Sequence, residues 1–465
     1  MATPARTSHS GNRDYGYLKA ISFGQSRPVV YSVYYETRKT NLHFVYTAPM
    51  GRSTACGGHP GSIANSRQKK SAWTDYPDRM DIESDLSKSR KRGERRTGHQ
   101  SLSHLSSIGS ARDAYFSMAQ TNGKPMTYVR LGNSGLKVSR LILGCMSYGS
   151  PEWQGWVLGE EEGIKHIKAA YDLGIQTFDT ANVRLRGVLG AYSNGLSEVV
   201  LGKAIKKHNL PRDEIVVMTK LFAVVSRNVN EYRYDPDVDR DGYINQHGLS
   251  RKHIFESVKH SLERLQLDYI DVLQCHRFDN DTPIEETMQA LHDVVKAGYV
   301  RYIGMSSCHA WQYYAISHNL TPFISMQNHY NLLYREEERE MVPTLKHFGV
   351  GSIPWSPLAR GNLTRPFGED TIRKGTDDWA QGYGTPQTKD IVDRVQELAK
   401  KKGLSMAQLA LAWVLSKDVV SAPIIGTTSL EKLQDTVHAL DVKLSEEEIK
   451  YLEEPYKPRT IFGHW

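Results

Sequence analysis

Residues 269–304, YIDVLQCHRFDNDTPIEETMQALHDVVKAGYVRYIG, contain two short apolar runs on either side of an amphipathic stretch. The runs Tyr269–Cys275 and Tyr299–Gly304 are rich in β-branched and aromatic residues, as is typical of buried strands. Between them, Ile284–Lys296 places its apolar residues on one face at helical spacing. A strand, a helix and a second strand in this order indicate a parallel βαβ unit.

The same alternation extends in both directions along the chain. Eight strands are predicted, at Leu141–Cys145, Gln176–Asp179, Ile215–Lys220, Tyr269–Cys275, Tyr299–Gly304, Phe323–Gln327, Val350–Trp355 and Ala422–Gly426. Helices are predicted at Glu160–Leu173, Ser197–His208, Ser250–Leu265, Ile284–Lys296, Trp311–His318, Glu336–Phe348, Lys389–Lys402 with Ser405–Ser416, and Leu430–Leu440. Upstream, Tyr128–Leu131 and Leu136–Leu141 flank a Gly-Asn-Ser-Gly turn and predict a β-hairpin.

Eight strands, each followed by helical sequence, are typical of a (β/α)8 TIM barrel. An open doubly wound sheet would show the same alternation, but it requires a glycine-rich phosphate loop directly after an early strand. The first strand instead continues into GCMSYG at 144–149, which lacks that spacing, and Gly187 and Gly190 lack the required context. We therefore predict an α/β fold in which residues 124–465 form a (β/α)8 barrel that opens with the hairpin.

Residues 1–123 form a basic, Ser/Arg-rich extension. They carry 18 Lys and Arg against 9 Asp and Glu, whereas the rest of the chain carries 41 against 43. The extension shows no sustained helical or strand period. Its basic cluster Ser87–Arg96 and its Ser-rich stretch Ser101–Ser110 offer little apolar surface to offset chain entropy, so we predict that most of it is disordered.

Three further interpretations of the extension stay open. The basic cluster could be a nuclear-import or anion-binding patch. The first thirty residues, with four Arg and Lys against Asp14 alone, have the charge pattern of a transit peptide. Finally, Met118 begins MAQTNGKPMTYVRLG directly before the barrel and is a plausible start of the protein. If it is the start, the preceding residues are no part of the mature protein.

Composition narrows the class of protein. No apolar run reaches the 18 or more residues of a membrane span, so we expect no membrane association. Because the excess positive charge belongs to the extension, we expect no nucleic-acid partner for the nearly neutral barrel. Cys56, Cys145, Cys275 and Cys308 show no CxxC spacing, and three lie in strand-like runs. We therefore expect reduced core thiols, a cytoplasmic protein and no metal site.

Polar residues stand at the carboxyl ends of three neighbouring predicted strands, where a barrel builds its active site. Asp179 ends the second strand and Lys220 the third, while His276 directly follows the fourth; Tyr192 lies between the second strand and its helix. A buried Asp–Lys pair beside a phenol would lower the pKa of the phenol from about 10 toward neutrality. The phenol could then protonate a carbonyl oxygen as hydride reaches the carbon, with an imidazole orienting that oxygen.

Several motifs resemble the aldo-keto reductase superfamily, especially its branch of fungal aryl-alcohol dehydrogenase-like enzymes and potassium-channel β subunits. The resemblance covers about residues 128–465 and rests on FDTA (178–181), YSNGLSEVVLGKAI (192–205), VVMTK (216–220), QCHRFD (274–279), GMSS (304–307), QNHYNLL (327–333), WSPLARGNL (355–363) and PIIGTTSLEKLQD (423–435). It implies that Asp179, Tyr192, Lys220 and His276 are a catalytic tetrad, with Tyr192 as general acid and base.

The resemblance implies two functions. The first is an NADP(H)-dependent oxidoreductase that reduces aldehydes or ketones, or oxidises aryl alcohols, with a small and aromatic substrate among the candidates. The alternative is an NADP(H)-binding redox-sensing partner protein similar to channel β subunits, with little or no turnover. Residues 151–156, PEWQGW, offer aromatic surface for a substrate pocket or for ordinary loop packing. The oligomeric state is left open.

The resemblance also implies which residues bind the cofactor NADP(H). Ser306, Ser307 and Gln327 would hold the nicotinamide carboxamide, and Trp355 would stack on its ring. The pyrophosphate would follow Ser356, Pro357, Leu358 and Gly361, with Arg365 closing over it. The adenosine end would contact Gly426, Thr428, Lys432, Asp435 and Thr436. A helix N-terminus beside a lysine suits a 2′-phosphate, which favours NADPH over NADH.

One feature departs from the family pattern. Tyr192 lies thirteen residues after Asp179, whereas family members separate the two by five. Removing 184–191, RLRGVLGA, would restore the pattern as FDTANVYSNG. We interpret this segment as an eight-residue insertion; the alternative, a splicing or gene-model error, stays open. An insertion predicts a looser position for the phenol, and because a displacement of about 1 Å costs on the order of a hundredfold in rate, impaired catalysis.

Overall fold

A computed structural model of the full chain describes residues 15–21, 30–36, 41–47, 126–182, 192–228, 238–308, 318–370, 373, 375, 377 and 382–461. The chain divides into two compact units, residues 1–97 and residues 98–465. Within these residues, no helix combines the length and the apolar character needed to cross a membrane.

The first unit contains a three-stranded antiparallel sheet in the order β1-β2-β3. Its strands are β1 (Tyr15–Ile21), β2 (Val30–Glu36) and β3 (Asn41–Thr47). These strands lie in the basic extension, most of which is predicted to be disordered, and strands there were not predicted. Local composition accounts for them, because YGYLKAI, VYSVYYE and NLHFVYT are rich in the β-branched and aromatic residues that favour strands. The basic cluster and Met118 lie outside the described residues.

The second unit contains eight parallel strands, which confirms the predicted α/β class and the strand count. They are β6 (Ile142–Gly144), β7 (Thr177–Asp179), β8 (Val216–Leu221), β9 (Ile270–Cys275), β10 (Val300–Ser306), β11 (Phe323–Gln327), β12 (Gly351–Ser352) and β13 (Ile424–Ile425). Each strand from β6 to β12 pairs with the next, and β13 pairs with β6. Between β12 and β13, the two ends of this strand order, the Ile424 amide donates to the Pro354 carbonyl at 2.9 Å.

The last two strands are shorter than predicted because of proline. Pro354 lies within the predicted strand Val350–Trp355 and Pro423 within Ala422–Gly426. Proline has no amide hydrogen to donate to a strand ladder, so regular pairing ends at these positions. Their carbonyls still accept, as Pro423 does from the Ile142 amide at 3.1 Å.

The hairpin, β4 (Tyr128–Arg130) with β5 (Lys137–Ser139), forms as predicted. Leu131 and Val138 belong to the same buried apolar cluster as residues at the amino ends of the parallel strands, such as Ile142 and Val216. The turn comes so close to residues 349–351 that a Cβ on Gly132 would lie 2.6 Å from the Gly349 carbonyl. The hairpin therefore packs on the amino end of the sheet and leaves the carboxyl end for the site.

The described helices are α1 (Glu160–Asp172), α2 (Leu196–Lys207), α3 (Arg251–Leu265), α4 (Ile284–Lys296), α5 (Met341–Phe348), α6 (Pro386–Lys402), α7 (Met406–Leu415), α8 (Leu430–Val437) and α9 (Glu446–Glu453). The predicted helix Trp311–His318 lies almost entirely outside the described residues. The predicted helix Glu336–Phe348 divides into a 3-10 turn and α5, because Pro343 cannot donate to a preceding helical turn. We did not predict α9, although Ser445 and Glu448 form a capping box at its start.

Candidate active site

A buried lysine lies at the centre of a cluster of polar side chains at the carboxyl ends of the parallel strands. Lys220 Nζ donates to Asp179 Oδ2 at 2.6 Å, to the Tyr192 hydroxyl at 3.0 Å and to the Thr180 carbonyl at 3.0 Å. Lys220 is 0% exposed and Asp179 is 1% exposed. The parallel pairing of β7 with β8 brings the two strand ends together. The predicted grouping of Asp179, Lys220 and Tyr192 is therefore present in the structure.

Tyr192 reaches this cluster through an unusual backbone turn. Its φ is 58°, and Ser193, Asn194 and Gly195 follow with φ of 47°, 52° and 89°. For residues other than glycine this left-handed region costs roughly 1–2 kcal/mol each. The Asn194 side chain anchors the turn, since its Oδ1 accepts from the Ser226 amide at 2.7 Å and its Nδ2 donates to the Ser226 carbonyl at 3.0 Å.

The proposed insertion, 184–191, lies outside the described residues. Its predicted consequence, a displaced phenol, disagrees with the geometry, because the Tyr192 hydroxyl is within hydrogen-bond distance of Lys220 Nζ. The left-handed turn that follows the insertion directs the tyrosine side chain back to the strand ends.

Two glutamines complete the environment of Asp179. Its Oδ1 accepts from Gln274 Nε2 and from Gln327 Nε2, each at 2.9 Å, and Gln327 Nε2 also donates to Gln274 Oε1 at 2.9 Å. Gln274 was not among the predicted site residues. The available signal was its position two residues before His276, since alternate residues of a strand share a face. Both carboxylate oxygens of Asp179 thus accept hydrogen bonds, which hold the side chain in place.

His276 lies at the end of β9, with its ring centroid 5.9 Å from that of Tyr192 in an edge-on arrangement. Burial, together with the positive charges of Arg277 and Lys220, holds the pKa of His276 well below its usual range. The imidazole is therefore neutral at physiological pH. A neutral imidazole keeps one N–H group, which can donate a hydrogen bond to a carbonyl oxygen.

The expected direction of the Tyr192 pKa was wrong for this structure. Burial raises the pKa of the phenol, and the nearby Lys220 offsets only part of that rise, while Asp179 adds to it. Desolvation of a fully buried phenolate, which depends on packing, outweighs the effect of the lysine. The same cluster raises the pKa of Lys220, because Asp179 and Tyr192 outweigh the lowering effect of burial. With both pKa values raised, Lys220 is a cation and Tyr192 a neutral phenol at neutral pH.

A cleft of about 890 Å³ opens above these residues. It is lined by Asp179, Tyr192 and His276 of the predicted tetrad. It is also lined by most of the residues predicted to bind a cofactor, namely Ser306, Gln327, Trp355, Ser356, Pro357, Leu358, Gly361, Arg365, Gly426, Thr428, Lys432, Asp435 and Thr436. The structure thus brings residues from both ends of the barrel sequence into one cavity.

Ser307 does not line the cleft. Its Oγ accepts from Trp355 Nε1 at 3.1 Å and so holds the indole. Behind Trp355, the His329 ring stacks at 4.1 Å and is itself stacked on Tyr334 at 4.3 Å. His329 was not a predicted site residue, although it lies in the QNHYNLL motif. These contacts fix Trp355 as a flat platform in the cleft wall.

The far end of the cleft is formed by the start of α8. Ser429 caps this helix, its side chain accepting from the Lys432 amide, and Lys432 lies in the first turn. Asp435 faces the cleft but is also bound by neighbouring residues, because it accepts from Ser405 Oγ at 2.7 Å and from Gln408 Nε2 at 2.8 Å. A helix N-terminus with an adjacent lysine attracts anions.

Arginines and a tryptophan that the sequence analysis did not assign also line the cleft. Arg360 and Arg373 both donate to Asp377, and the Arg373 guanidinium lies 4.6 Å from the Trp156 ring centre. Trp156 belongs to the PEWQGW segment, so that segment does supply aromatic surface to the cavity. Arg277 lines the cleft beside His276 while remaining only 2% exposed.

The three cysteines that the structure describes, Cys145, Cys275 and Cys308, are buried free thiols. Burial raises the pKa of each, that of Cys275 to about 12. They are therefore protonated and poorly nucleophilic, as expected of core residues. Within the described ranges, no group of three or more potential metal-ligating side chains is found.

Comparison with known proteins gives consistent results. The Aldo/keto reductase family model matches residues 140–457. A versiconal hemiacetal acetate reductase of Aspergillus parasiticus is 50% identical over 348 residues, covering 72% of this chain and 98% of the relative. A Schizosaccharomyces pombe protein that bears the name aryl-alcohol dehydrogenase is 50% identical over 360 residues, covering 73% of this chain and 98% of the relative. An aldo-keto reductase of Alternaria alternata is 46% identical over 356 residues, covering 72% of this chain and 93% of the relative.

Proposed function

Because this chain belongs to the aldo/keto reductase family, we propose that it is an NADP(H)-dependent oxidoreductase that reduces aldehydes or ketones, or oxidises aryl alcohols, by hydride transfer. The observation that carries the proposal is the position of Lys220 Nζ, 2.6 Å from Asp179 and 3.0 Å from the Tyr192 hydroxyl. The proposal includes a closed (β/α)8 barrel, supported by the strand order and by the hydrogen bond between Ile424 and Pro354 at the seam.

In this mechanism Tyr192 is the general acid of reduction. Its hydroxyl gives a proton to the substrate carbonyl oxygen, and Lys220 Nζ stabilises the phenolate that remains. Asp179 keeps the lysine charged and in place, and Gln274 and Gln327 keep Asp179 in place. Neutral His276 donates a hydrogen bond to the same carbonyl oxygen and orients it. In oxidation the phenolate takes the proton back from the alcohol.

The residues that line the cleft fit a dinucleotide with an extra phosphate. Trp355 provides a fixed aromatic surface for the nicotinamide, which when bound supplies or accepts the hydride. Both N–H bonds of the Gln327 amide are directed to Asp179 and Gln274, so its Oε1 is the atom that would accept from the carboxamide. Arg365 beside Gly361 and Lys432 at the start of α8 would neutralise phosphates.

The first prediction concerns the choice of cofactor. Lys432→Glu is expected to remove a preference for NADPH over NADH, because it replaces a charge-assisted contact to the 2′-phosphate by repulsion. The loss should be about 2–3 kcal/mol, or roughly a hundredfold in the dissociation constant of NADPH. Lys443→Glu is the matched control, since Lys443 is exposed and does not line the cleft. Equal affinities of the unmutated protein for NADPH and NADH, measured by fluorescence titration, would rule out this assignment.

The second prediction is a pH profile. A phenol whose pKa is raised stays protonated, and hence competent for reduction, until the pH exceeds its usual value of about 10. His276, with its pKa lowered, stays neutral at all pH values above its usual range. The reductive kcat is therefore expected to be flat between about pH 7 and pH 9, whereas alcohol oxidation should rise with pH. A reductive kcat that halves between pH 7 and 8 would contradict this account.

The third prediction concerns the insertion. Because the Tyr192 hydroxyl already meets Lys220, deletion of 184–191 is expected to change the reductive kcat by less than about tenfold, since a phenol misplaced by about 1 Å would lose on the order of a hundredfold. The measurement compares kcat and NADPH affinity of the full chain and the deletion. A gain well above tenfold on deletion would restore the original expectation that the segment displaces Tyr192.

The substrate class is tested with a panel of carbonyl compounds. The relatives' names, aryl-alcohol dehydrogenase and versiconal hemiacetal acetate reductase, direct the panel to aromatic and polycyclic carbonyl compounds. We expect NADPH-dependent formation of the alcohol from aromatic aldehydes, identified by product chromatography. A panel in which no carbonyl compound gives an alcohol would refute the proposed function.

A further inference from the structure

The backbone turn that carries Tyr192 is tied to the loop after β8 by one side chain. Asn194, two residues after Tyr192, is 5% exposed and does not line the cleft. Its Oδ1 accepts from the Ser226 amide at 2.7 Å, and its Nδ2 donates to the Ser226 carbonyl at 3.0 Å. Because Lys220 lies near the end of β8 and Ser226 in the loop that follows, Asn194 joins the tyrosine to the strand that supplies the lysine.

The residues around Asn194 hold the same turn from other sides. Ser193 Oγ accepts from the Ser150 amide at 3.2 Å, in the loop after β6, and a Cβ on Gly149 would collide with that oxygen. In the first turn of α2, Ser197 Oγ shares a hydrogen bond with Thr180 Oγ1 at 2.7 Å. All these contacts are made by residues that follow Tyr192 in the chain, on the side away from 184–191.

We propose that Asn194 is a positioning residue for the proton donor: its hydrogen bonds to Ser226 keep the Tyr192 hydroxyl within reach of Lys220 and of the substrate carbonyl. Asn194 has a left-handed φ of 52°, and asparagine is among the residues that tolerate this conformation best. Without its side-chain bonds the turn samples further conformations, and the phenol moves with it. An anchor on this side also explains why Tyr192 meets Lys220 although 184–191 precedes it.

This inference rests on the proposed function, and Asn194→Gly tests the positioning role. Glycine keeps the left-handed backbone accessible and removes only the side chain. Since a phenol misplaced by about 1 Å loses on the order of a hundredfold in rate, kcat for an aromatic aldehyde should fall about ten- to a hundredfold. In the Tyr192→Phe background the same change should lower the residual kcat by less than about twofold, because the hydroxyl that Asn194 positions is absent.

Asn209→Gly is the matched control. Asn209 also has a left-handed φ, of 48°, but it is exposed and does not line the cleft. We expect this variant to keep the kcat of the unmutated protein. Both glycine variants should bind NADPH within about twofold of the unmutated protein, because the residues proposed to bind the cofactor lie on other strands and loops.

A spectroscopic measurement separates this inference from the proposed function. With 3-fluorotyrosine incorporated at position 192, the fluorine NMR resonance reports on the surroundings of the phenol whether or not any aldehyde is reduced. We expect the resonance to shift or broaden in Asn194→Gly and to stay unchanged in Asn209→Gly. If the resonance responds in this way but no carbonyl compound is reduced, the positioning role stands and only the proposed function fails.

Two kinds of result would overturn the positioning role. A fluorine resonance that Asn194→Gly leaves unchanged, or a kcat that it leaves unchanged in a protein that turns over, would show that Tyr192 does not depend on Asn194. An Asn194→Gly variant that no longer folds, or that lowers the residual kcat of Tyr192→Phe by the same factor, would show that Asn194 supports the fold in general.

Discussion

Replacing Tyr192 by phenylalanine is expected to lower kcat for an aromatic aldehyde by about 10²–10⁴-fold, the range that a general acid contributes. The substitution removes one oxygen and leaves the ring, which packs edge-on against His276. The cofactor-binding residues we propose lie on other strands and loops, so the affinity for NADPH should stay within about twofold. Steady-state kinetics and a fluorescence titration of NADPH measure the two effects separately.

Tyr171→Phe is a matched control for this prediction. Its hydroxyl also donates a hydrogen bond, to Glu214 Oε2 at 2.6 Å, but it lies on α1, away from the cleft. We expect the control to keep the kcat of the unmutated protein. If Tyr192→Phe keeps it as well, Tyr192 is not the proton donor.

Replacing Lys220 by methionine should lower both activity and stability. The change leaves the Asp179 carboxylate buried without its cation, and removing one partner of a buried ion pair costs about 3–5 kcal/mol of unfolding free energy. It also removes the charge that stabilises the phenolate, so kcat should fall at least about a hundredfold. Urea denaturation and steady-state kinetics measure the two losses.

A second variant separates the two roles of Lys220. The double variant Asp179→Asn with Lys220→Met removes both charges of this pair and leaves neither without its partner, so most of the lost stability should return while activity stays low. The control is Lys203→Met, because Lys203 and Glu160 form a pair at 2.7 Å that is about half exposed and should contribute at most about 1 kcal/mol. A Lys220→Met variant as stable as this control would show that the buried pair is not important for folding.

The strands, and the grouping of polar side chains at their carboxyl ends, could be predicted because both follow local rules. Apolar runs located all eight strands, and the chemistry at strand ends located Asp179, Lys220 and His276. Where strands end was less predictable, since the prolines at 354 and 423 shorten two of them. The N-terminal strands were missed because we judged the extension by its average composition rather than by its short β-favouring segments.

The finer features of the site depend on contacts between distant segments, which the sequence does not reveal. Gln274 could be assigned to Asp179 only once the register of β7, β8 and β9 was known. Likewise, the stack of His329 behind Trp355 joins residues that are 26 positions apart in the sequence. The Tyr192 pKa depends on how deeply the phenol is buried, and that is a property of packing.

The most direct test of this account is the stoichiometry of NADPH consumption by the purified full-length protein with an aromatic aldehyde in excess. The account predicts repeated turnover, in which many equivalents of NADPH are oxidised per chain and one alcohol forms for each NADPH consumed. It also predicts that Tyr192→Phe binds NADPH but does not sustain this turnover. Oxidation that stops at or below one equivalent per chain in the unmutated protein would contradict the account and would instead favour a protein that binds NADP(H) to sense redox state.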